Sequence, residues 1–217
     1  MVYNGGMETP VVVWDWNGTL LDDVDAAVAA LNSMLAKRGI PAVTRDFYRA
    51  NFRFPSRDFY IQLGVDVEDW ESICVDFHSA FAAAPKGLRA GAHAVLERFA
   101  SLGFRQVLLS AHREDLLKKD AADAGIADWF EAIAGTDNLS GASKLERATR
   151  LVREIQPRKM VFVGDTLHDA EVARATSAGC VLLECGHQTP ERLAAAGCPL
   201  AAGLADIPDA VTRLVRR

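Results

Sequence analysis

Short apolar runs alternate along the chain with segments whose apolar residues fall at helical spacing. The runs predict buried strands at Val11–Trp14, Phe104–Ser110, 131–135, Met160–Val163 and Val181–Leu183. The helical spacing predicts helices at about 90–102, 113–124, 142–155 and 168–177, with two more towards the end of the chain. Strands that alternate with helices in this way predict a parallel sheet covered on both faces.

The segment after the first strand interrupts this alternation. Its apolar residues keep helical spacing from Val24 to Leu35 and then, in shorter pieces broken at Pro55, from about 44 to 84. No strand-like alternation occurs in those shorter pieces. We therefore predict an α/β protein with a helical cap domain inserted into its core. The predicted boundaries are 1–22 and 86–217 for the parallel-sheet core and 23–85 for the cap.

Composition limits the classes of partner. The 217 residues carry a net charge of −5 without a long basic block, which argues against nucleic acid. No apolar run approaches the roughly 20 residues that span a bilayer, so no membrane partner is expected. Met1–Pro10 lacks a basic cluster followed by an apolar stretch, so no secretory signal is predicted. The four cysteines, none in a Cys-x-x-Cys pair, predict free thiols in a cytoplasmic protein.

Reactive side chains stand at the ends of predicted strands. Asp15 follows the first strand, Ser110 ends the second, and Asp165 follows the strand that ends near Gly164. Because ligands of open α/β sheets bind outside the carboxyl ends of the strands, we expect these side chains to converge. Lys144 opens a predicted helix between the last two. A carboxylate at the end of a buried strand is costly without a role, which favours a functional site.

These positions resemble the sequence motifs of the haloacid dehalogenase superfamily. The four motifs are matched, in order, by Asp15-Trp16-Asn17-Gly18-Thr19-Leu20, by Ser110 after Val107-Leu108-Leu109, by Lys144, and by Gly164-Asp165-Thr166-Leu167-His168-Asp169. The resemblance covers nearly the whole chain and implies a Rossmann-like core. The predicted cap is similar to that of phosphoglycolate phosphatase-like and β-phosphoglucomutase-like members.

The resemblance implies a phosphatase that depends on Mg²⁺ and acts on a small phosphorylated metabolite, with phosphoglycolate as the family's example. Asp15 would be the nucleophile and form an aspartyl-phosphate. The metal ligands would be Asp15, the main-chain carbonyl of Asn17, Asp165 and Asp169.

The remaining motif residues would bind the substrate or stabilise the reacting charge. Ser110 and the backbone N–H groups near it, at Ala111 and His112, would bind phosphate oxygens. Lys144 would neutralise charge on the nucleophile and on the transferring group. Thr19 would support the loop by hydrogen bonding.

One position departs from the family pattern. Most phosphatases of the family carry an aspartate two residues after the nucleophile, where it protonates the leaving group and activates water, but this chain has Asn17. An amide can do neither, and such help is worth about 10² to 10⁴ in rate. The alternatives are a phosphatase that manages without this aspartate, a slow or non-catalytic member that binds a phosphorylated ligand, and a phosphonate C–P hydrolase.

Other side chains are candidates for supporting roles. Lys37 is the cap lysine that a C–P hydrolase would need to form an imine with its substrate, and His112 is a candidate replacement for the missing acid–base. Arg53 and Arg57 could bind an anionic part of the substrate, since a guanidinium donates two parallel bonds. Asp22 and Asp23 are predicted to cap the first helix of the cap.

Overall fold

The computed structural model of the protein describes residues 9–136 and 144–216. The strands are β1 (Val11–Trp14), β2 (Leu21–Asp22), β3 (Gly87–Leu88), β4 (Arg105–Arg113), β5 (Ala132–Thr136), β6 (Met160–Gly164), β7 (Gly179–Leu183) and β8 (Leu200–Ala201). The helices are α1 (Val24–Ala36), α2 (Arg45–Asn51), α3 (Ser56–Gln62), α4 (Trp70–Ala83), α5 (Ala92–Ser101), α6 (Glu114–Asp123), α7 (Lys144–Ile155), α8 (Leu167–Ala175), α9 (Pro190–Leu193) and α10 (Ile207–Val215).

Six of these strands form one parallel sheet in the order β5-β4-β1-β6-β7-β8. The strand β1 lies inside it, with Val13 paired to Val107 on one side and to Phe162 on the other. Helices α5, α6 and α10 pack against one face, and α7, α8 and α9 pack against the other. This arrangement confirms the predicted α/β fold, and it explains why β1 is apolar at every position: both of its faces are buried.

The helices α1 to α4 form a separate layer with an apolar core of its own. The chain enters and leaves this layer through β2 and β3, which pair antiparallel with Leu21 opposite Leu88. Neither strand was predicted, nor was β8 at the sheet edge, because two residues are too few to show a hydrophobic period. The layer corresponds to the predicted cap, whose boundaries stay a prediction.

A small set of polar contacts ties the cap to the core. The guanidinium of Arg49, on α2, donates to the main-chain carbonyls of Glu184 at 2.5 Å, Gly186 at 2.7 Å and Gln188 at 3.0 Å. In return, the side-chain amide of Gln188 donates to the carbonyl of Phe52 at 2.9 Å. The segment that follows β7 is therefore bound directly to the cap.

Two sequence-based expectations fall partly outside the described residues. These are the start of the predicted helix, at 142 and 143, and the first eight residues, for which no secretory signal is expected. Within the part of the chain that the structure describes, none of the helices combines the length and apolar character needed to cross a bilayer.

Candidate active site

Three carboxylates meet at the carboxyl edge of the sheet. Asp15 follows β1, Asp165 follows β6, and Asp169 lies in the first turn of α8. One oxygen of each lies within 4.8 Å of the others, and all three residues are buried. Sequence positions 150 residues apart are thus brought together because β1 and β6 are parallel neighbours.

Lys144 lies among these carboxylates as the first residue of α7. Its ammonium group donates to Asp15 Oδ1 and, at 2.6 Å, to Asp169 Oδ1. The lysine side chain is only 5% exposed, so this contact is shielded from solvent. The ammonium neutralises part of the negative charge that the acidic cluster concentrates.

The other oxygen of Asp169 is held by its own helix terminus. Asp169 Oδ2 accepts from the backbone N–H of Thr166 at 3.0 Å and from the Thr166 hydroxyl at 2.7 Å. These bonds form a capping box at the start of α8. They fix the carboxylate so that its free oxygen points at Lys144 and the cluster.

The electrostatics of the cluster favour a further cation. Burial raises the pKa of Asp15 to about 8 against the opposing pull of Lys144, and the neighbouring acids add to the rise. Burial likewise raises the pKa of Asp165 to about 6. Burial also opposes ionisation of Asp169, but Lys144 outweighs it and lowers that pKa. Carboxylate oxygens at this spacing suit Mg²⁺, so the residues present fit the ion that the sequence resemblance implies.

The buried lysine gives a stability prediction. Lys144→Met removes the cation between Asp15 and Asp169, and breaking a buried pair in this way costs about 3 to 5 kcal/mol. We expect the free energy of unfolding, measured by urea denaturation in EDTA, to fall by that amount. Mg²⁺ should recover part of the loss. The matched change Lys119→Met, at an exposed pair with Asp123, should leave stability nearly unchanged. Equal effects of the two substitutions would contradict the assignment.

Gly18 lets the loop after β1 approach Asp165. Its φ is +73°, and a Cβ atom there would lie 2.0 Å from Asp165 Oδ2. Any other residue would be strained and would also clash with the carboxylate. The close approach of the loop to Asp165 therefore requires a glycine at position 18.

Asn17 does not point its amide at Asp15. Its Nδ2 donates to Asp23 Oδ2 at 2.7 Å, while the Gly18 backbone N–H donates to Asp23 Oδ1 at 2.7 Å. The prediction that Asp23 caps α1 is wrong: it occupies the N-cap position, but its side chain makes no capping bond. Its carboxylate is turned into the site, where it positions the loop that carries Asn17. Asp22 is exposed and faces Arg89 at 3.4 Å.

His187 is a member of the site that the sequence argument missed. Its Nε2 lies 3.2 Å from Asp23 Oδ1, its Nδ1 lies 3.0 Å from the Tyr48 hydroxyl, and its backbone N–H donates to Asp165. Burial opposes a charge on the ring, but Asp23 outweighs it and raises the pKa of His187 to about 9. The residue follows β7, so the rule that examines strand ends would have found it had it been applied to that strand.

The predicted phosphate-binding residues line the same cavity. Ser110, Ala111 and His112 border it from β4, where pairing with β5 shifts register between Leu109 and Arg113. The backbone N–H of His112 donates to Ser110 Oγ at 3.1 Å. Burial lowers the pKa of His112, whose Nε2 lies 3.5 Å from Asp120.

Thr19 supports Asp15 from outside the cavity. It is fully buried, and its hydroxyl donates to Asp15 Oδ2 at 3.4 Å. It is not part of the cavity lining. The geometry gives it the loop-supporting role rather than direct contact with a substrate.

Three candidate cap residues are not brought to the cavity. Arg53 donates to the Gln62 side chain at 2.6 Å, and Arg57 donates to the Val67 carbonyl at 3.2 Å, both at exposed positions. Lys37 pairs with Asp76 and keeps 57% of its side chain exposed. None of the three lines the cavity. Their long side chains are satisfied on the cap's outer surface, so the structure gives them no contact with a ligand.

Comparison with known protein sequences identifies a family and several relatives. The sequence profile of the family described as haloacid dehalogenase-like hydrolase matches residues 12–183. Tyrosine-protein kinase PtkA of Mycobacterium tuberculosis is 25% identical over 189 residues, which cover 84% of this chain and 64% of that protein. The chain therefore spans somewhat less than two thirds of that relative's length. A phosphoglycolate phosphatase of Neisseria gonorrhoeae is 29% identical over 78% of this chain and 77% of its own.

Solved structures show the same fold. A haloacid dehalogenase-like hydrolase of Streptococcus pneumoniae superposes with a TM-score of 0.80 at 16% identity, over 94% of this chain and 98% of its own. The structure of PtkA from Mycobacterium tuberculosis gives 0.78 at 24% identity, over 95% and 99%. At these identities the likeness concerns the fold alone. The profile match over most of the chain establishes the family, and the chain is a member of the haloacid dehalogenase-like hydrolases.

Proposed function

We propose that the protein is a Mg²⁺-dependent phosphatase that hydrolyses a phosphomonoester through an aspartyl-phosphate at Asp15. The observation that carries the proposal is the cluster of Asp15, Asp165 and Asp169 around Lys144. It combines a nucleophilic carboxylate with the oxygens that a divalent cation prefers. The relatives named phosphoglycolate phosphatase support this class of reaction.

The reaction would consist of two displacements at phosphorus, for which Asp15 supplies the nucleophile and Lys144 the charge stabilisation. In the first, an oxygen of Asp15 bonds to phosphorus as the bond to the ester oxygen breaks. In the second, water bonds to phosphorus and the bond to Asp15 breaks, which releases inorganic phosphate and restores the carboxylate. Lys144 stabilises the negative charge on the nucleophile and on the transferring group. A bound Mg²⁺ would supply Lewis-acid neutralisation of the phosphate charge.

The two protons that hydrolysis must transfer point to a second candidate function. The leaving oxygen must gain a proton and the attacking water must lose one, but the Asn17 amide can serve neither purpose and is committed to Asp23. This observation favours the alternative of a slow or non-catalytic member that binds a phosphorylated ligand. The C–P hydrolase alternative has less support, because Lys37 pairs with Asp76 and does not line the cavity.

The test is phosphate release from a panel of phosphomonoesters, with Mg²⁺ and with EDTA. We expect release that requires Mg²⁺ and returns when the ion is added back after chelation. Turnover that continues unchanged in EDTA would contradict the metal-dependent mechanism. Absence of any release, together with calorimetric binding of inorganic phosphate in Mg²⁺, would favour the ligand-binding alternative.

A further inference from the structure

The cavity above the acidic cluster has two chemically different ends. It holds about 170 Å³ between the strand ends and the cap. Its cap side carries seven aromatic side chains, one of which, Tyr48, contacts His187 through its hydroxyl. The other six we call the aromatic wall: Phe52, Phe54, Tyr60, Trp70, Phe77 and Phe81. The core side carries the carboxylates and Lys144. A ligand that fills the cavity therefore meets charge at one end and rings at the other.

The aromatic wall consists of two groups of rings that the buried Phe59 joins, since its ring contacts both Phe52 and Tyr60. Ring centroids lie 5.3 Å apart for Phe52 and Phe54, and 5.9 Å apart for Phe77 and Phe81. Tyr60 contacts Trp70 at 5.7 Å. Such distances are typical of favourable ring–ring contacts. The wall therefore offers one apolar face on which a further ring can pack.

The basic side chains of the lining are Lys144 and three histidines, His78, His112 and His187, and His112 lies 3.5 Å from Asp120. Lys144 faces Asp15 and Asp169, and His187 faces Asp23. The cap helices, all of which the structure describes, contribute no arginine or lysine to the lining. A second anionic group on the substrate, such as the carboxylate of phosphoglycolate, would lose its water and would find no arginine or lysine of the cap to pair with.

We propose, resting on the proposed function, that the substrate is a phosphomonoester whose alcohol carries an aromatic ring. The phosphate lies at the acidic cluster, and the ring packs on the aromatic wall. Aromatic side chains prefer offset or edge-to-face contact with a further ring, which favours a ring over a polar chain at this end of the cavity. Binding of the ring in a matching apolar pocket contributes about 10- to 200-fold for each methylene-sized increment.

The residue at position 17 supports the same class independently. Phenolic oxygens have a pKa near 10, far below that of an aliphatic alcohol, so an aryl oxide departs with less help from a proton donor. Asn17 supplies no such proton. Within ring-bearing esters, those of phenols therefore suit the site best.

The first experiment separates recognition of the ring from leaving-group chemistry. It compares kcat/KM for 2-phenylethyl phosphate and ethyl phosphate, whose leaving oxygens are both primary alkoxides, and includes 2-phosphoglycolate. We expect the phenylethyl ester to exceed the other two by at least about 10²-fold. A phosphoglycolate value equal to or above the phenylethyl value would overturn the proposal while leaving the phosphatase function intact.

Substitutions in the aromatic wall test whether the wall causes the preference for the ring-bearing ester. Phe77→Ala should lower the ratio of kcat/KM for the phenylethyl ester to kcat/KM for ethyl phosphate about 10-fold, since one ring of the wall is lost. Phe77→Leu keeps the apolar contact and should lie between. The control is Phe47→Ala, an exposed phenylalanine of the cap that lies outside the lining. Equal losses on both esters from Phe77→Leu would contradict the assignment.

A binding measurement keeps the two proposals distinguishable. Calorimetry in Mg²⁺ compares 2-phenylethylphosphonate with ethylphosphonate, neither of which a phosphatase can hydrolyse. A preference of about 10-fold or more for the ring, without turnover of any ester, would uphold the ligand class and reject catalysis. Equal affinities would reject the ligand class whatever the esters show.

Discussion

Asp15→Asn is expected to reduce phosphate release by about 10³-fold or more, because the amide cannot act as the nucleophile in the first displacement. The fold should survive the change. The amide oxygen can still accept a hydrogen bond from Lys144, and that lysine keeps its second partner, Asp169, at 2.6 Å. The measurement is kcat/KM for a ring-bearing ester in Mg²⁺, accompanied by the melting temperature of each protein.

The control for Asp15→Asn removes the same charge nearby. Asp22→Asn changes an exposed acid that pairs with Arg89 and should leave turnover as it is. A second readout tests the intermediate itself: borohydride reduces an acyl phosphate, so peptide mass spectrometry of the quenched wild-type reaction should find homoserine at residue 15. Turnover that survives Asp15→Asn would show that water attacks phosphorus directly.

Asn17→Asp is expected to raise turnover of ethyl phosphate by about 10²-fold, because it restores a group that can donate and accept a proton. The existing contact favours the protonated form. Asn17 now donates to Asp23 at 2.7 Å, and a carboxylic acid in its place can keep that bond only while it holds its proton. The gain should be smaller for phenyl phosphate, since its leaving oxygen needs less protonation. Both rates are measured at saturating Mg²⁺.

An added negative charge alone would not produce this pattern. Asn51→Asp places the same charge on α2, where the amide donates to the Phe47 carbonyl outside the cavity, and should change neither rate. A loss of turnover in Asn17→Asp, with an unchanged melting temperature, would mean that the amide is itself needed. The natural role would then be chemistry or binding that depends on asparagine.

Part of the site could be predicted from the residues that stand at the ends of the strands. Asp15, Ser110 and Asp165 could be grouped in advance because parallel strands place their carboxyl ends at one edge. Lys144 and Asp169 could be added only through the resemblance, since a lysine or an aspartate at the start of a helix has ordinary explanations. The fold was predictable for a similar reason: β1, β4 and β6 are long enough to show their pattern.

The other residues of the site could not be predicted, because contacts between distant parts of the sequence position them. Asp23 has the sequence position of a helix cap, but its carboxylate is held in the site by the loop after β1 and by His187, 164 residues away. Likewise, Arg53 and Arg57 differ from Arg49 in nothing that the sequence displays. Which of the three meets the core depends on how the cap helix is rotated, and tertiary packing decides that rotation.

The three carbonyls bound by Arg49 also bear on whether caps can be exchanged between relatives. The carbonyls belong to the segment 184–188, which itself carries His187 and approaches Asp165. A chimera that received a foreign cap without an equivalent guanidinium would lose specificity and would also loosen the loop beside the acidic cluster. Recombination that aims to transplant substrate choice therefore has to move residues 184–188 together with the cap, as a single inherited unit.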